Sequence, residues 1–580
     1  MVRLTRRLAF LLLLLLSATA TAQQQANPEA ASGFAAKPPV IAERQLVVTA
    51  NPLASAAALE ILRQGGSAAD AAIAALLVLG LVEPQSAGLG GGGFWLQYDA
   101  AAARLRAYDG RETAPASATP ALFLDSGGQP MDFWAAVASG RSVGVPGTVA
   151  LLAKVYANHG RLPWADLFGP AIGLASQGFP LSPRLYELLL IDPLLRTDPV
   201  ARRLYYGADG LPLPIGTLLR NADYATMLGL IAYSGPAAFY EGPIAAAVVR
   251  AAARDEPAAP LSLEDLKAYR ALERPPVCGP YRVYLVCGQG PPSSGGVTLL
   301  QILGLLDHFA LAPEPLAVAT MHLLAEASRL AFADRNAYLA DPDFVAQPVE
   351  ALLDPRYLAQ RALLIDAAKA MGTAAPGLPQ KQGLLLDAIE GPSTTHLVVV
   401  DSAGDVVSLT ASVENAFGSR RMATLSGEGG FLLNNQLTDF SFAPVDAAGL
   451  PVANRPEAGK RPRSSMAPTI VLDADGEPVF ALGTPGGSRI IGFVALALVG
   501  LIDWGLDPAA AAALPLLTNR NGTTDLEANR GLEPLGEALA ARGHTVGYAA
   551  MTSGFAILAI TPEGLLGGAD PRREGLAAGD

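Results

Sequence analysis

GPSTTHLVVVDSAGDVVSLTASVEN, residues 391–415, is the stretch whose reading decides the fold. "TTHLVVVD" and "VVSLTASVE" are β-rich runs on either side of the turn "SAGD", the pattern of an antiparallel hairpin. Centring the turn at Ala403/Gly404 sets Thr394 and Thr395 beside Ser412 and Val413, with one residue of latitude in register. Glu414 lies one pleat further on, on the face of Ser412. Two hydroxyls and a carboxylate therefore gather where the first strand begins.

A threonine hydroxyl is a weak nucleophile at neutral pH unless a base is at hand. No Ser-His-Asp set accompanies this hairpin. A cut before Thr394 would create an α-amino group titrating near ~8, able to take the proton of the hydroxyl on its own residue. Pro392-Ser393, after a polar connector over residues 372–393, reads as an exposed place for such a cut. Taken alone, the hairpin reads better as an ordinary strand start, since Thr is a common strand residue.

A second hairpin adds weight. "APTIVLDADGEPVFALGTPGGSRI", residues 467–490, reads strand, turn, strand, then a glycine-rich loop and an apolar helix. Its pairing brings Ser464 and Ser465 next to Pro485–Gly487. Gly486 and Gly487 are expected to open the helix, where free N–H groups suit an oxyanion or a phosphate. The Lys-Ser/Thr of a P-loop is missing, which favours the oxyanion.

Other motifs are weaker. Gly88, Gly90 and Gly93 match a dinucleotide pattern, but a helix precedes them and a strand follows, the reverse of the required order. Close packing or a tight turn explains them better. Ser142 sits in Gly-x-Ser-x-Gly, yet Pro146 and Gly147 follow where the elbow needs a helix. His159, His308, His322, His396 and His544 lack metal-ligand spacing, and no metal or cofactor is expected.

The chain has 580 residues, 51% of them hydrophobic, and a net charge of −12. That balance argues against a nucleic-acid partner or an anionic-membrane surface. Residues 1–22 read as a signal peptide: Arg3, Arg6 and Arg7, the apolar run Leu8–Leu16, then Ala20-Thr21-Ala22. Export, to a periplasm, is expected rather than an uncleaved anchor. The runs Ala71–Val82 and Ile490–Ile502 are too short to span a bilayer and read as buried helices. Export permits a disulfide, and Cys278 and Cys287 flank a strand-turn-strand read around Gly279-Pro280. A local disulfide is favoured over two buried thiols.

Up to about Leu385 the texture is mainly helical. Asn51-Pro52 starts a helix stopped by Gly65-Gly66, and Ser67 and Asp70 cap the next. From Thr394 onward hairpins dominate. Helices layered on sheets imply two sheets between helix layers.

"TTHLVVVD", "FLLNNQLTDFS", "KRPRSSMAPTIV" and "TPGGSRII" together resemble the γ-glutamyltranspeptidase (glutathione hydrolase) family. "ANPLASAAALEILRQGGSAADAAIA", "EPQSAGLGGGGF", "YDGRE", "GPPSSGG" and "GGADPRREGLAAG" extend the likeness, in order, over nearly all of the chain. The resemblance implies an α+β fold, the four-layer αββα sandwich of N-terminal-nucleophile hydrolases. It implies self-cleavage at Ser393–Thr394 into a large piece, residues 23–393, and a small one, residues 394–580, that stay together. Thr394 matches the nucleophile, Ser412 its supporting hydroxyl, and Gly486 and Gly487 the oxyanion-hole glycines. Arg111, Ser464 and Ser465 match groups that grip the substrate α-carboxylate. Gln436 and Asp439 match those that take the α-ammonium. Glu414 stands where many members have Asn and would be a further ammonium anchor. The implied partners are small γ-glutamyl compounds and amine acceptors.

The segment between Asp439 and Ser464 is short where many members carry a longer lid, which points to a more open site. Two other readings stay open. One is an acylase of the same fold, acting on glutaryl side chains or trimming poly-γ-glutamate. The other is an exported scaffold that never matures.

Overall fold

The computed structural model describes residues 33–254, 260–379, 382–383, 391 and 393–580. The leader, Pro392 and most of the end of the connector lie outside the described residues.

Two seven-stranded sheets form the centre. Their strands are β1 (Val40–Ala42), β2 (Leu46–Thr49), β3 (Gly92–Asp99), β4 (Arg104–Gly110), β5 (Leu272–Arg274), β6 (Val277–Tyr281) and β7 (Tyr284–Gly288). Seven more follow: β8 (Ser393–Val400), β9 (Val406–Glu414), β10 (Thr469–Leu472), β11 (Pro478–Gly483), β12 (Ala556–Thr561), β13 (Gly564–Ala569) and β14 (Leu576–Gly579). One sheet runs β14-β2-β8-β9-β3-β4-β5, the other β1-β13-β12-β11-β10-β7-β6, with antiparallel neighbours throughout. Both sheets mix strands from before and after residue 393. Of the strands before residue 393, the β3–β4 pair and the β6–β7 pair interrupt the helical texture where the sequence reads strand.

Alternation along each strand divides the core into layers. Val398 and Val400 of β8, with Leu96 and Val406, meet Ile470, Ala481 and Leu558 of the other sheet. Their neighbours Leu397, Val399, Val407 and Leu409 face outward onto α1 (Pro52–Arg63) and α2 (Ala68–Val82). Val286, Val471, Leu482 and Ile557 pack on the far side against α3 (Gly295–Leu306), α4 (Val318–Tyr338) and α5 (Ile490–Ile502). Four layers result, as expected.

Local signals placed the helices well. Asn51 caps α1, accepting from Leu53 N at 3.0 Å, and Gly65 follows its end at φ +88°. Ser67 and Asp70 form a reciprocal capping box on α2, whose residues are all buried. No helix among the described residues is long and apolar enough to cross a membrane.

Three expectations need correction. The strand pair β6–β7 turns at Arg282-Val283, not at Gly279-Pro280, because Arg282 takes the left-handed conformation (φ 55°) and Gly279 and Pro280 stay in the ladder. Cys278 and Cys287 are direct cross-strand partners and form a disulfide. The first hairpin is one residue out of the centred register: Thr394 faces Ser412 and Thr395 faces Ala411. The apolar helix begins at Ile490, after a single 3₁₀ turn over Gly487–Arg489, so Gly486 and Gly487 precede it rather than open it.

The buried histidines make stability depend on pH. His396, in β8, pairs with the Thr410 hydroxyl at 2.8 Å, and burial pushes its imidazole down to about 3. A Cβ on Gly483 would lie 2.4 Å from that ring, so the facing strand must carry glycine there. Burial, then the nearby His322, lowers His544 to about 4. Unfolded imidazoles titrate near ~6.5, so the unfolded chain binds more protons as pH falls below that value. Stability present above pH ~6.5 is lost on the way down, through about 4 for His544 and about 3 for His396. Calorimetry is expected to show Tm dropping steadily across this window; a flat Tm there would contradict the buried neutral rings.

Candidate active site

One small pocket gathers nine residues singled out from the sequence: Arg111, Thr394, Ser412, Glu414, Gln436, Asp439, Ser464, Ser465 and Gly487. Gly391, Met466 and Ile490 complete its wall. Gly486 adjoins Gly487 just outside it.

Thr394 heads β8 at the centre of its sheet, between β2 and β9. Its Oγ1 lies 3.2 Å from Ser412 Oγ. The Ser412 hydroxyl donates to the Ser393 carbonyl at 2.7 Å and accepts from Glu414 N at 2.8 Å. A hydroxyl has one proton, so Thr394 is the donor in the Thr394–Ser412 bond. The register shifts between Ser393 and Thr394, and this irregularity turns Ser393 to face Glu414. Contrary to the expectation of an exposed cut site, Ser393 and Thr394 are only 0% and 3% exposed. The strand start is therefore enclosed rather than exposed. Arg573 donates to the Thr394 carbonyl at 3.3 Å and to Ser553 O at 2.8 Å, fixing the strand from the C-terminal tail.

The charged groups lie on the other side of the pocket. Arg111 follows β4. Its Nε donates to Pro462 O (3.1 Å), and its Nη2 to Arg463 O (3.0 Å) and Asp439 Oδ2 (2.5 Å). Gln436 Nε2 donates to the same Asp439 oxygen at 2.9 Å. Both residues sit on a short 3₁₀ turn, Gln436–Asp439, which Asn454 ties down by donating to Asp439 O at 2.6 Å. Glu414 holds an unusual φ of 82° for a residue with a side chain. Its carboxylate accepts from Gly391 N and from the Asn435 amide. Burial, then the Asp439 charge, pushes the Glu414 carboxyl far above the usual range; the Gly391 N–H, Asn435 and Arg111 pull it back.

Gly486 and Gly487 have φ of 147° and 58°, a region that L side chains avoid. A Cβ on Gly486 would also meet the Phe493 ring at 2.8 Å.

The rejected motifs are structural. Ser142 ends a 3₁₀ turn, Gly140–Ser142, with its one hydroxyl proton shared between Val137 O (2.9 Å) and Ser139 O (2.8 Å). Cβ atoms on Gly90, Gly91 and Gly93 would fall 2.1, 2.2 and 2.5 Å from the carbonyl oxygens of Leu432, Ser412 and Thr410. These glycines let β3 and its approach pack against the chain that carries the site.

Sequence reading missed Asn435, Arg335, Arg573 and Glu112. Glu112 is fully buried behind Arg111, its Oε2 3.9 Å from Nη1, and burial raises it to about 8 against the pull of Arg111. Arg573 and Glu112 were inside quoted motifs but carried no signal of what they touch.

A threonine heading a central strand of one of two stacked antiparallel sheets, between helix layers, defines the N-terminal-nucleophile hydrolase fold. The chain belongs to the γ-glutamyltranspeptidase family, whose profile, described as Gamma-glutamyltranspeptidase, matches residues 54–580. It is 36% identical over 543 residues to the glutathione hydrolase proenzyme of Escherichia coli strain K12, covering 92% of this chain and 91% of that protein. It is also 36% identical over 558 residues to the acylase ACY 1 proenzyme of Pseudomonas sp. strain SE83, covering 93% and 94%. The crystal structure of cephalosporin acylase from Bacillus halodurans superposes with a TM-score of 0.81 at 27% identity, covering 96% of this chain and 99% of that one.

Proposed function

We propose that the chain cuts itself between Ser393 and Thr394, and that Thr394 then transfers γ-glutamyl groups from glutathione and related amides to water or an amine. The observation that carries this is the charge pattern beside Thr394. Arg111, Ser464 and Ser465 suit a carboxylate. The Asp439 charge adds to burial in holding the Glu414 carboxyl above its usual range, and an α-ammonium arriving between the two would favour both as carboxylates. An α-amino acid head held at both ends places its γ-carbonyl near Thr394.

In the uncut chain, Thr394 Oγ1 attacks the Ser393 carbonyl carbon, whose oxygen already accepts from Ser412. The Oγ1–C bond forms, the C–N bond breaks, and the hydroxyl proton passes to the Thr394 nitrogen. Water then opens the ester, leaving Ser393 as a carboxylate and Thr394 with a free amine. That amine serves as base in each later turnover. It deprotonates Oγ1 for attack on the γ-carbonyl, and main-chain N–H groups of Gly486 and Gly487 take the developing oxyanion. The leaving amine departs with a proton, and water or an acceptor amine resolves the γ-glutamyl ester. Export to the periplasm, with the two pieces as permanent partners, completes the reading.

Mass spectrometry of the purified protein should find Thr394 at one N-terminus, with pieces near ~40 and ~20 kDa, taking ~0.11 kDa per residue. One unbroken, inactive chain would instead favour the scaffold. The full-length likeness to a cephalosporin acylase keeps a glutaryl acylase as the second reading. A γ-glutamyl anilide and a glutaryl anilide differ only in the α-amino group. The proposed enzyme prefers the first by about 100-fold in kcat/KM, the scale for leaving a buried charge unpaired; equal rates would support the acylase.

A further inference from the structure

We propose that Arg335 is a positioning residue that turns the Ser465 hydroxyl proton into the pocket, readying it for the substrate α-carboxylate. The inference rests on the reading of Ser464 and Ser465 given above.

Arg335 lies near the end of α4, is buried, and is not among the residues that line the pocket. Its Nη2 donates to Ser465 Oγ at 2.6 Å. A guanidinium has donors and no acceptor, so the serine oxygen can only accept there. The hydroxyl proton must point elsewhere, and Ser465 faces the pocket. The positive charge behind the oxygen also polarises the O–H, making it a stronger donor. Ser464 is set in the same sense: its Oγ accepts from Met466 N at 3.1 Å, and a backbone N–H likewise leaves the hydroxyl only to donate.

Arg335 fixes the second serine through a relay. Its Nε donates to Ser294 Oγ at 2.8 Å. Both the Ser294 hydroxyl and Ser294 N donate to Ser464 O, each at 2.7 Å. Ser464 N in turn donates to Pro292 O at 3.0 Å. This gives the "GPPSSGG" motif, singled out from the sequence without a role, a place in the site: it is the bracket on which the serine pair hangs. One cation thus sets the direction of one hydroxyl and the backbone position of the other.

The test uses the mature two-piece enzyme and two substrates. γ-Glutamyl-p-nitroanilide has the α-carboxylate; 4-aminobutyryl-p-nitroanilide keeps the amine and the scissile amide but lacks it. Arg335→Gln is expected to raise KM for the first about tenfold, with kcat within about threefold, and to leave kcat/KM for the second within about twofold. In a Ser465→Ala background the same change should add little, since both act through one hydroxyl. Should Arg335→Gln fail to mature, Arg335→Lys, which keeps the charge and one donor, decides: discrimination between the substrates must narrow. Equal losses on both substrates, or full additivity with Ser465→Ala, would overturn the proposal. A wild-type enzyme that does not discriminate the pair would remove the underlying carboxylate reading as well, whereas discrimination that survives in the Arg335 variants removes this inference alone.

Discussion

Thr394→Ala is expected to yield a single full-length chain with no measurable amidase activity. The variant removes only a hydroxyl and a methyl from a residue that is 3% exposed, so the fold should persist. In the proposed mechanism the hydroxyl is needed twice. It is the atom that attacks Ser393, and it is the atom that carries the acyl group afterwards. The neighbouring hydroxyl cannot replace it, because Ser412 Oγ has its one proton committed to the Ser393 carbonyl. Loss of a nucleophile acting within a unit typically removes about 10⁴-fold or more of the rate. Thr394→Ser keeps the oxygen and is expected to cut itself and retain partial activity. A denaturing gel and an anilide assay on the two variants check both statements; processing of the alanine variant would show that the cut is made by something other than Thr394.

Asp439→Asn is expected to be the next most damaging change. Asp439 holds Arg111 at 2.5 Å and accepts from Gln436, and it is the charge proposed to meet the substrate ammonium. Removing one partner of a buried pair leaves the other uncompensated, at about 3–5 kcal/mol. Part of that falls on binding: the loss in kcat/KM for a γ-glutamyl anilide should be about 100-fold or more, each tenfold being about 1.4 kcal/mol. The same change takes away a charge that raises the Glu414 carboxyl, so Glu414 ionises more readily. Glu414 then inherits part of the ammonium, and the remaining activity should strengthen as pH rises and Glu414 ionises. A glutaryl anilide, having no ammonium, should lose far less. Equal losses on the two anilides would place Asp439 in support of the fold rather than in recognition.

The legible part of this chain was that written in local pattern. Alternation in 394–414, the Asn-Pro start of α1 and the Ser67/Asp70 cap each depend on neighbours a few residues apart, and each was read to within a residue. The family motifs then named the pocket residues. What stayed hidden was set by partners far along the chain. Arg335 meets Ser465 from 130 positions away, and Arg573 reaches Thr394 across 179. The turn at Arg282-Val283 was misplaced because Gly279-Pro280 is the stronger turn signal in sequence, and only the pairing of Cys278 with Cys287 overrides it. The burial of Ser393 could not be read from polar neighbours, since its contacts are with Ser412 and Glu414 on the paired strand.

The hydrogen bond from Gly391 to Glu414 gives the uncut protein a built-in stopper. On the proposed mechanism the stretch ahead of Thr394 occupies, while uncut, a carboxylate meant for the incoming amino acid, so an unprocessed molecule would have neither a free amine nor an empty seat. Under that proposal competence would arrive with the cut, which both arms the threonine and frees the new end at Ser393 to leave the berth. No partly active form should accumulate during maturation, and the appearance of turnover should follow the disappearance of the full-length band without a lag.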